Sequence, residues 1–356
     1  KFFLAHRDTH SGSLLHLQVL FNNHAIPLPV SPVDRLCISF PLHILNHPCP
    51  KSTSAAGIFC DMVTLPFILY RGRVIMALVN LNMNSKYLAG NTEVTIILPD
   101  RPWGDEPERF YRSGRKYKVL WLLHGTFGDH TDWLRKSNIE LYATEKNLAV
   151  VCASALNSNY SNWTTAMMGY NMYDFMIKEL MPAMYGWFPI SYKREDNFIA
   201  GLSMGGRGTI KFAVNYPEKF AGAAVLSAAP VDFSLLGPGR KRAFLNTEEP
   251  RLKATIENAG GLDAYVNSEE NVWAILDGFA GRKELDKLPR LMFACGEDDF
   301  LAENFTIFRK HAEEIGVKAE WFTLPGYGHE WRFWDLAIQH ALTFFGLDAD
   351  EGGNPF

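Results

Sequence analysis

The run "NFIAGLSMGGRG" carries a lone serine, Ser203, with Gly201 two residues before it and Gly205 two residues after. An apolar stretch precedes this G-x-S-x-G pattern and a helix-like stretch follows it. In that setting the glycines clear a sharp strand-to-helix turn and leave the hydroxyl exposed at its tip. The plainer alternative is a turn with no chemistry. A serine alcohol attacks a carbonyl only if a base takes its proton, and an imidazole with an ordinary pKa of about 6.5 suits that task. The base in turn needs a carboxylate to hold its tautomer. "FACGEDDF" places Glu297, Asp298 and Asp299 after one later strand, and "TLPGYGHEW" places His329 after the next. We expect Ser203 as nucleophile, His329 as base and Asp299, in preference to Asp298, as the acid. His311 and His340 fall inside helical patterns, whereas His130 follows an earlier strand and could line the site. The three adjacent carboxylates also admit a solvated charge run or a hard-cation site. The further oxygen ligands that such a cation needs do not recur at regular spacing, so no metal is expected.

A tetrahedral intermediate needs preorganised backbone N–H donors for its oxyanion. Met204, directly after the nucleophile, offers one. "LLHGTFGDHTDW" offers the other: Gly125 lets the backbone approach and Thr126 presents its N–H, with Phe127 as the neighbouring alternative. His124 reads as a residue that fixes this loop. Among loop aromatics, Trp133, Trp163 and Trp331, together with Phe127, are the expected substrate contacts.

Elements able to hold these groups alternate from about residue 76 onward. Strand patterns occur at 93–100, 117–125, 148–155, 197–203, 221–230, 290–296 and 319–326. Helical patterns fall between them at 132–147, 173–188 (with Pro182 inside), 302–316 and 332–346. The near-continuous apolar strands imply burial on both faces, and the spacing implies βαβ units in a mostly parallel sheet. Residues 231–287 break the rhythm and read as an insertion or small cap, charged and without the long apolar helix face of a lipid-binding lid.

The composition, 47% hydrophobic and 21% charged with a net charge of −4, belongs to a globular chain. It offers no basic patch for nucleic acid and no apolar run long enough to cross a membrane. Residues 1–75 differ, with six of the eleven histidines, three of the five cysteines, three aspartates and no glutamate. We expect them to form a poorly ordered extension outside the native product, a domain over 76–348, and a frayed tail at 349–356. Cys152 and Cys295 lie in strand patterns and no C-x-x-C pair occurs, which fits a reduced, cytoplasmic setting. Two N-x-S/T matches within "NSNYSNWT" are taken as coincidence.

Four segments in this order, "LLHGTFGDHTDWLRKSNIE", "REDNFIAGLSMGGRGTIKFAVNYPEKFAGAAVLSAA", "CGEDDFLAENFTIFRK" and "PGYGHEWRFWD", resemble the esterases that include tributyrin esterase and S-formylglutathione hydrolase. The resemblance covers about residues 76–346. It implies an α/β-hydrolase fold, with a mostly parallel central sheet flanked by helices on both faces. It also implies ester hydrolysis through an acyl-enzyme without metal or organic cofactor, a small-molecule ester as substrate, and members that associate into homo-oligomers. By position it puts the nucleophile on Ser203, the base on His329, the acid on Asp299 and the oxyanion donors on Thr126 and Met204. The departures are Arg207, where a smaller or aromatic residue is expected, and the unmatched first 75 residues. Short acyl groups such as acetyl or butyryl, on carbohydrate or aromatic alcohols, are the expected substrates. The alternatives are a thioesterase or acyltransferase, and a catalytically silent ligand-binding relative.

Overall fold

A computed structural model of the chain describes residues 76–102, 105–165 and 169–347, and the backbone of three short strands near the start. The chain divides into two units, Lys1–Tyr70 and Arg71–Phe356. In the first, Phe3–Leu4, Gln18–Phe21 and His24–Pro27 pair as an antiparallel sheet. The expected poorly ordered extension otherwise concerns residues outside those described, as does the expected frayed tail.

The second unit is built on eight strands: β1 (Met76–Ser85), β2 (Gly90–Pro99), β3 (Val119–Leu123), β4 (Ala149–Ala153), β5 (Asn197–Leu202), β6 (Gly222–Leu226), β7 (Arg290–Gly296) and β8 (Ala319–Leu324). They lie in the order β8-β7-β6-β5-β3-β4-β2-β1. Strands β3 to β8 are mutually parallel, whereas β2 runs antiparallel to β4, and β1 antiparallel to β2. Every residue of β3, β4, β5 and β6 is buried, as runs such as "VLWLL" and "AVVCA" require when helices cover both faces. Alternate residues of β3 feed opposite layers: Trp121 joins one core, and Leu120 and Leu122 the other. The edge strand β1 was not expected. Its sequence "MALVNLNMNS" interleaves apolar residues with asparagine, a poor strand former that the half-solvated edge tolerates.

One layer holds α3 (Met204–Asn215), α6 (Val272–Gly281), α7 (Ala302–Glu314) and the helix over 172–187, through side chains such as Phe212, Leu276, Phe308 and Phe175. The other holds α1 (Asp132–Lys136), α2 (Ile139–Lys146) and α8 (Trp331–Phe344), through Trp133, Ile139 and Phe333. The crossover expected as a single helix over 132–147 is therefore two. Ser137 Oγ donates to Trp133 O at 2.5 Å, and the Asn138 N–H turns away to Asp335 Oδ1 at 3.0 Å, which breaks the ladder. Between 172 and 187 the helix passes through a wide π turn at Met176–Leu180 just before Pro182, which has no N–H to continue the regular pattern. The insertion between β6 and β7 contributes α4 (Pro250–Asn258), α5 (Leu262–Val266) and α6. Among the described residues no helix is long and apolar enough to cross a membrane.

Candidate active site

The sheet delivers its functional groups at the carboxyl ends of the parallel strands. After β5 the chain turns at once into α3, and Ser203 between them takes φ 53° and ψ −114°. Such geometry is costly for a side-chain-bearing residue and persists only where the surroundings enforce it. Here the Ser203 N–H donates to Leu226 O at 2.8 Å. The glycines are required by close approach. A Cβ at Gly201 would lie 2.6 Å from the Gly205 carbonyl, and one at Gly205 would lie 2.5 Å from Leu123 O.

His329 follows β8, and its Nε2 stands 2.9 Å from Ser203 Oγ. Its Nδ1 stands 2.9 Å from Asp299 Oδ2, on the loop after β7. Asp299 is buried whereas Glu297 and Asp298 are exposed, so the fold itself separates three adjacent carboxylates. Burial alone would push the Asp299 carboxyl up. Hydrogen bonds from His329, from the Leu301 N–H at 2.9 Å and from Ser227 outweigh it and hold the group below the usual carboxylate range. The imidazole lies between Phe300, 4.7 Å away centroid to centroid, and Trp334, which meets it edge-on at 5.0 Å. Trp334 is fixed in turn by its indole N–H, which donates to Ser227 Oγ at 2.8 Å. The supporting roles of Ser227 and Phe300 have no signature in the sequence beyond proximity to the strand ends.

Thr126 and Met204 line the same cavity as Ser203. Met204 opens α3, so its N–H is among those a helix start leaves without an internal acceptor. The Phe127 N–H is already committed to Asn157 Oδ1 at 2.8 Å, while that of Thr126 has no acceptor among the described residues. His124 holds this loop from beneath. Its Nε2 accepts the Ala155 N–H at 2.9 Å, so Nδ1 carries the proton and donates to Gly125 O at 2.7 Å. Burial pushes the His124 pKa down, which keeps the ring neutral. His130, in contrast, ties the loop to β2 through Thr95 Oγ1 at 2.7 Å.

The cavity over Ser203 has a volume of about 410 Å³, and its aromatic wall is Phe233, Phe244, Tyr265 and Phe300. The four expected contacts lie elsewhere. Trp133 is buried under the loop with its indole N–H on Leu123 O at 3.0 Å. Trp331 packs edge-on against Trp133 and Trp334. Trp163 donates to Ser158 O at 2.8 Å. Phe127 is 79% exposed, outside the cavity wall, with the Arg251 guanidinium 5.3 Å from its ring centre. Proximity in sequence to a motif does not fix where a side chain points, and three of these rings face into packing layers. Among the described residues no group of three or more His, Cys, Asp or Glu is placed to hold a metal ion.

Comparison with known proteins shows the family of the chain. Residues 85–343 match the model of a family described as "Putative esterase". An acetyl esterase of Caldicellulosiruptor saccharolyticus is 30% identical over 281 residues, covering 77% of this chain and all of that protein. The structure of an S-formylglutathione hydrolase from Staphylococcus aureus is similar with a TM-score of 0.62 and 32% identity, covering 76% of this chain and 99% of that one. A fluorophosphonate-binding serine hydrolase of the same organism, solved with substrate bound, is similar with a TM-score of 0.62 and 31% identity, covering 76% of this chain and 98% of that one.

Proposed function

The chain belongs to this esterase family and is a carboxylic ester hydrolase of α/β-hydrolase fold, and from that premise we propose that it hydrolyses short-chain acyl esters through an acyl-enzyme formed on Ser203. The observation that carries the reading is the unbroken contact from Ser203 Oγ through both nitrogens of His329 to the buried Asp299. Ser203 Oγ attacks the ester carbonyl carbon as His329 Nε2 takes its proton. Asp299 holds the Nδ1 proton and stabilises the imidazolium. The oxyanion is held by the N–H groups of Thr126 and Met204. Collapse of the intermediate expels the alkoxide, which takes the proton from Nε2. Water then gives a proton to Nε2 as it attacks the acyl carbon, and Ser203 is regenerated.

The modest cavity and the likeness to an acetyl esterase favour acetyl to butyryl groups. The likeness to an S-formylglutathione hydrolase favours thioesters as a second substrate class. The two buried free thiols, Cys152 and Cys295, fit a reducing compartment such as the cytoplasm. Ser203→Ala, assayed on p-nitrophenyl esters of graded chain length and on a thioester, tests the reading. Turnover should drop by about 10⁴-fold or more with the fold retained. Undiminished hydrolysis by that variant would overturn it.

A further inference from the structure

Arg207 stands one turn beyond Ser203 in α3, with its N–H donating to Ser203 O at 3.1 Å. Helical side chains lean toward the amino end, so a residue four places on covers the turn that carries the nucleophile. Arg207 lines the same cavity as Ser203. Its side chain is exposed, and desolvation lowers its pKa against the opposing pull of Tyr265 and Glu270.

A guanidinium on the wall of a cavity is open to pairing with a charged ligand. Among the described residues Arg207 has neither an ion pair nor a side-chain hydrogen bond. The carboxylates of the same wall bond to other groups, although the charge of Glu270 also acts on Arg207. Glu270 binds Lys211 Nζ at 2.8 Å. Glu249 caps α4 by accepting the N–H groups of Arg251 and Leu252 at 3.0 and 3.1 Å. A second guanidinium, that of Arg251, lies over the Phe127 ring, with no ion pair among the described residues. The lining of the cavity that holds the serine therefore carries three cations, Arg207, Lys211 and Arg251, against two carboxylates, Glu249 and Glu270.

We propose that Arg207 recognises an anionic group, a carboxylate or phosphate, carried by the ester substrate close to the scissile bond. The inference rests on the serine-esterase reading and adds a substrate class to it. A guanidinium fork matches the paired oxygens of such a group, and Arg251 draws the same charge toward the mouth. A neutral substrate of the same shape forgoes this charge-assisted pair, so discrimination of about 10- to 100-fold in kcat/KM is expected.

Matched pairs test this on both sides of the ester. On the acyl side, p-nitrophenyl hemiglutarate is compared with its neutral methyl ester. On the alcohol side, 4-acetoxybenzoate is compared with its methyl ester. The wild type should prefer the anionic member of one pair, and that pair identifies which side carries the charge. In Arg207→Gln the preference should collapse toward unity, and Arg207→Lys should keep part of it. Because each ratio is taken within one enzyme, a general loss of activity cancels. A wild-type ratio near one in both pairs, or an unaltered ratio in Arg207→Gln, would overturn the proposal. Should no ester be turned over, the esterase reading fails separately. Calorimetry with Ser203→Ala and glutarate as probe then decides: binding abolished by adding Arg207→Gln supports the anion site, and no binding refutes it.

Discussion

Two regions close over the same cavity and are held in place by different means. The rim of the sheet sets Thr126, Ser203, Asp299 and His329 at the ends of β3, β5, β7 and β8, each strand hydrogen-bonded to its neighbours in fixed register. The insertion over 231–287 has no strand among its described residues and is docked by side chains. Asn258 Nδ2 donates to Asn162 O at 2.6 Å, Lys211 pairs with Glu270, and Asn215 Nδ2 reaches Glu269 O at 3.3 Å. Backbone ladders fix reacting groups to the tolerance that proton transfer needs. Side-chain docking lets a wall change its shape and charge without disturbing them. Chemistry is therefore expected to fail through the rim, and selectivity through the insertion.

The sharpest way to break the rim without disturbing the insertion is Asp299→Asn. The amide keeps the shape but favours the wrong imidazole tautomer, and kcat should fall by about 10⁴-fold. Stability should respond to pH as well. The folded state holds Asp299 below the ordinary carboxylate range, so its contribution is complete above about pH 3.9 and drains away as pH falls through the lower folded value. Urea titrations across the acid range should give a shallower acid limb for the asparagine variant than for the wild type. Equal slopes would show that the folded protein does not favour the ionised carboxyl.

The insertion breaks at Lys211. Its side chain is 3% accessible and binds Glu270 Oε1 at 2.8 Å, Ser161 Oγ at 2.9 Å and Asn159 O at 3.1 Å. Lys211→Met strands a largely buried carboxylate and should cost about 3–5 kcal/mol by chemical denaturation. Adding Glu270→Leu should recover most of that loss, since no charge is then left unpaired. If the double variant is as unstable as the single one, lost packing rather than the unpaired charge is the cause. Because the ladder still positions the triad, KM should change more than kcat.

The same contrast governs what could be read from the sequence. The placement of Ser203, Asp299 and His329 at one rim is legible because buried parallel strands write unbroken apolar runs, and the residues after each run stand at the sheet's carboxyl edge. Within "GEDDF", the sequence favours Asp299 over Asp298, and the loop buries Asp299 and leaves Asp298 exposed. The edge strand over Met76–Ser85 was hidden by its asparagines, and the break at Ser137 by a side-chain hydrogen bond that periodicity does not register. The cavity wall was misplaced onto Trp133, Trp163 and Trp331 because an aromatic near a motif does not reveal which layer it enters. Arg207 stands out as a departure, but that it makes no ion pair among the described residues is a property of three dimensions alone.

The smallest effect sharpens that last distinction. Trp163 is partly buried and gives its indole N–H to Ser158 O at 2.8 Å, away from the cavity wall, so Trp163→Phe should cost about 1 kcal/mol of stability. Its kcat/KM should stay within about twofold of the wild type for every acyl length, as expected for a change outside the site. Phe244→Ala, within the wall, should instead alter the preference among acetyl, butyryl and hexanoyl esters by about 3- to 10-fold, the scale of one or two methylenes in an apolar pocket. A chain-length preference that moves with Trp163 and stays fixed with Phe244 would place the acyl group against the 157–163 loop rather than under the insertion. The division between rim and wall drawn here would then have to be redrawn.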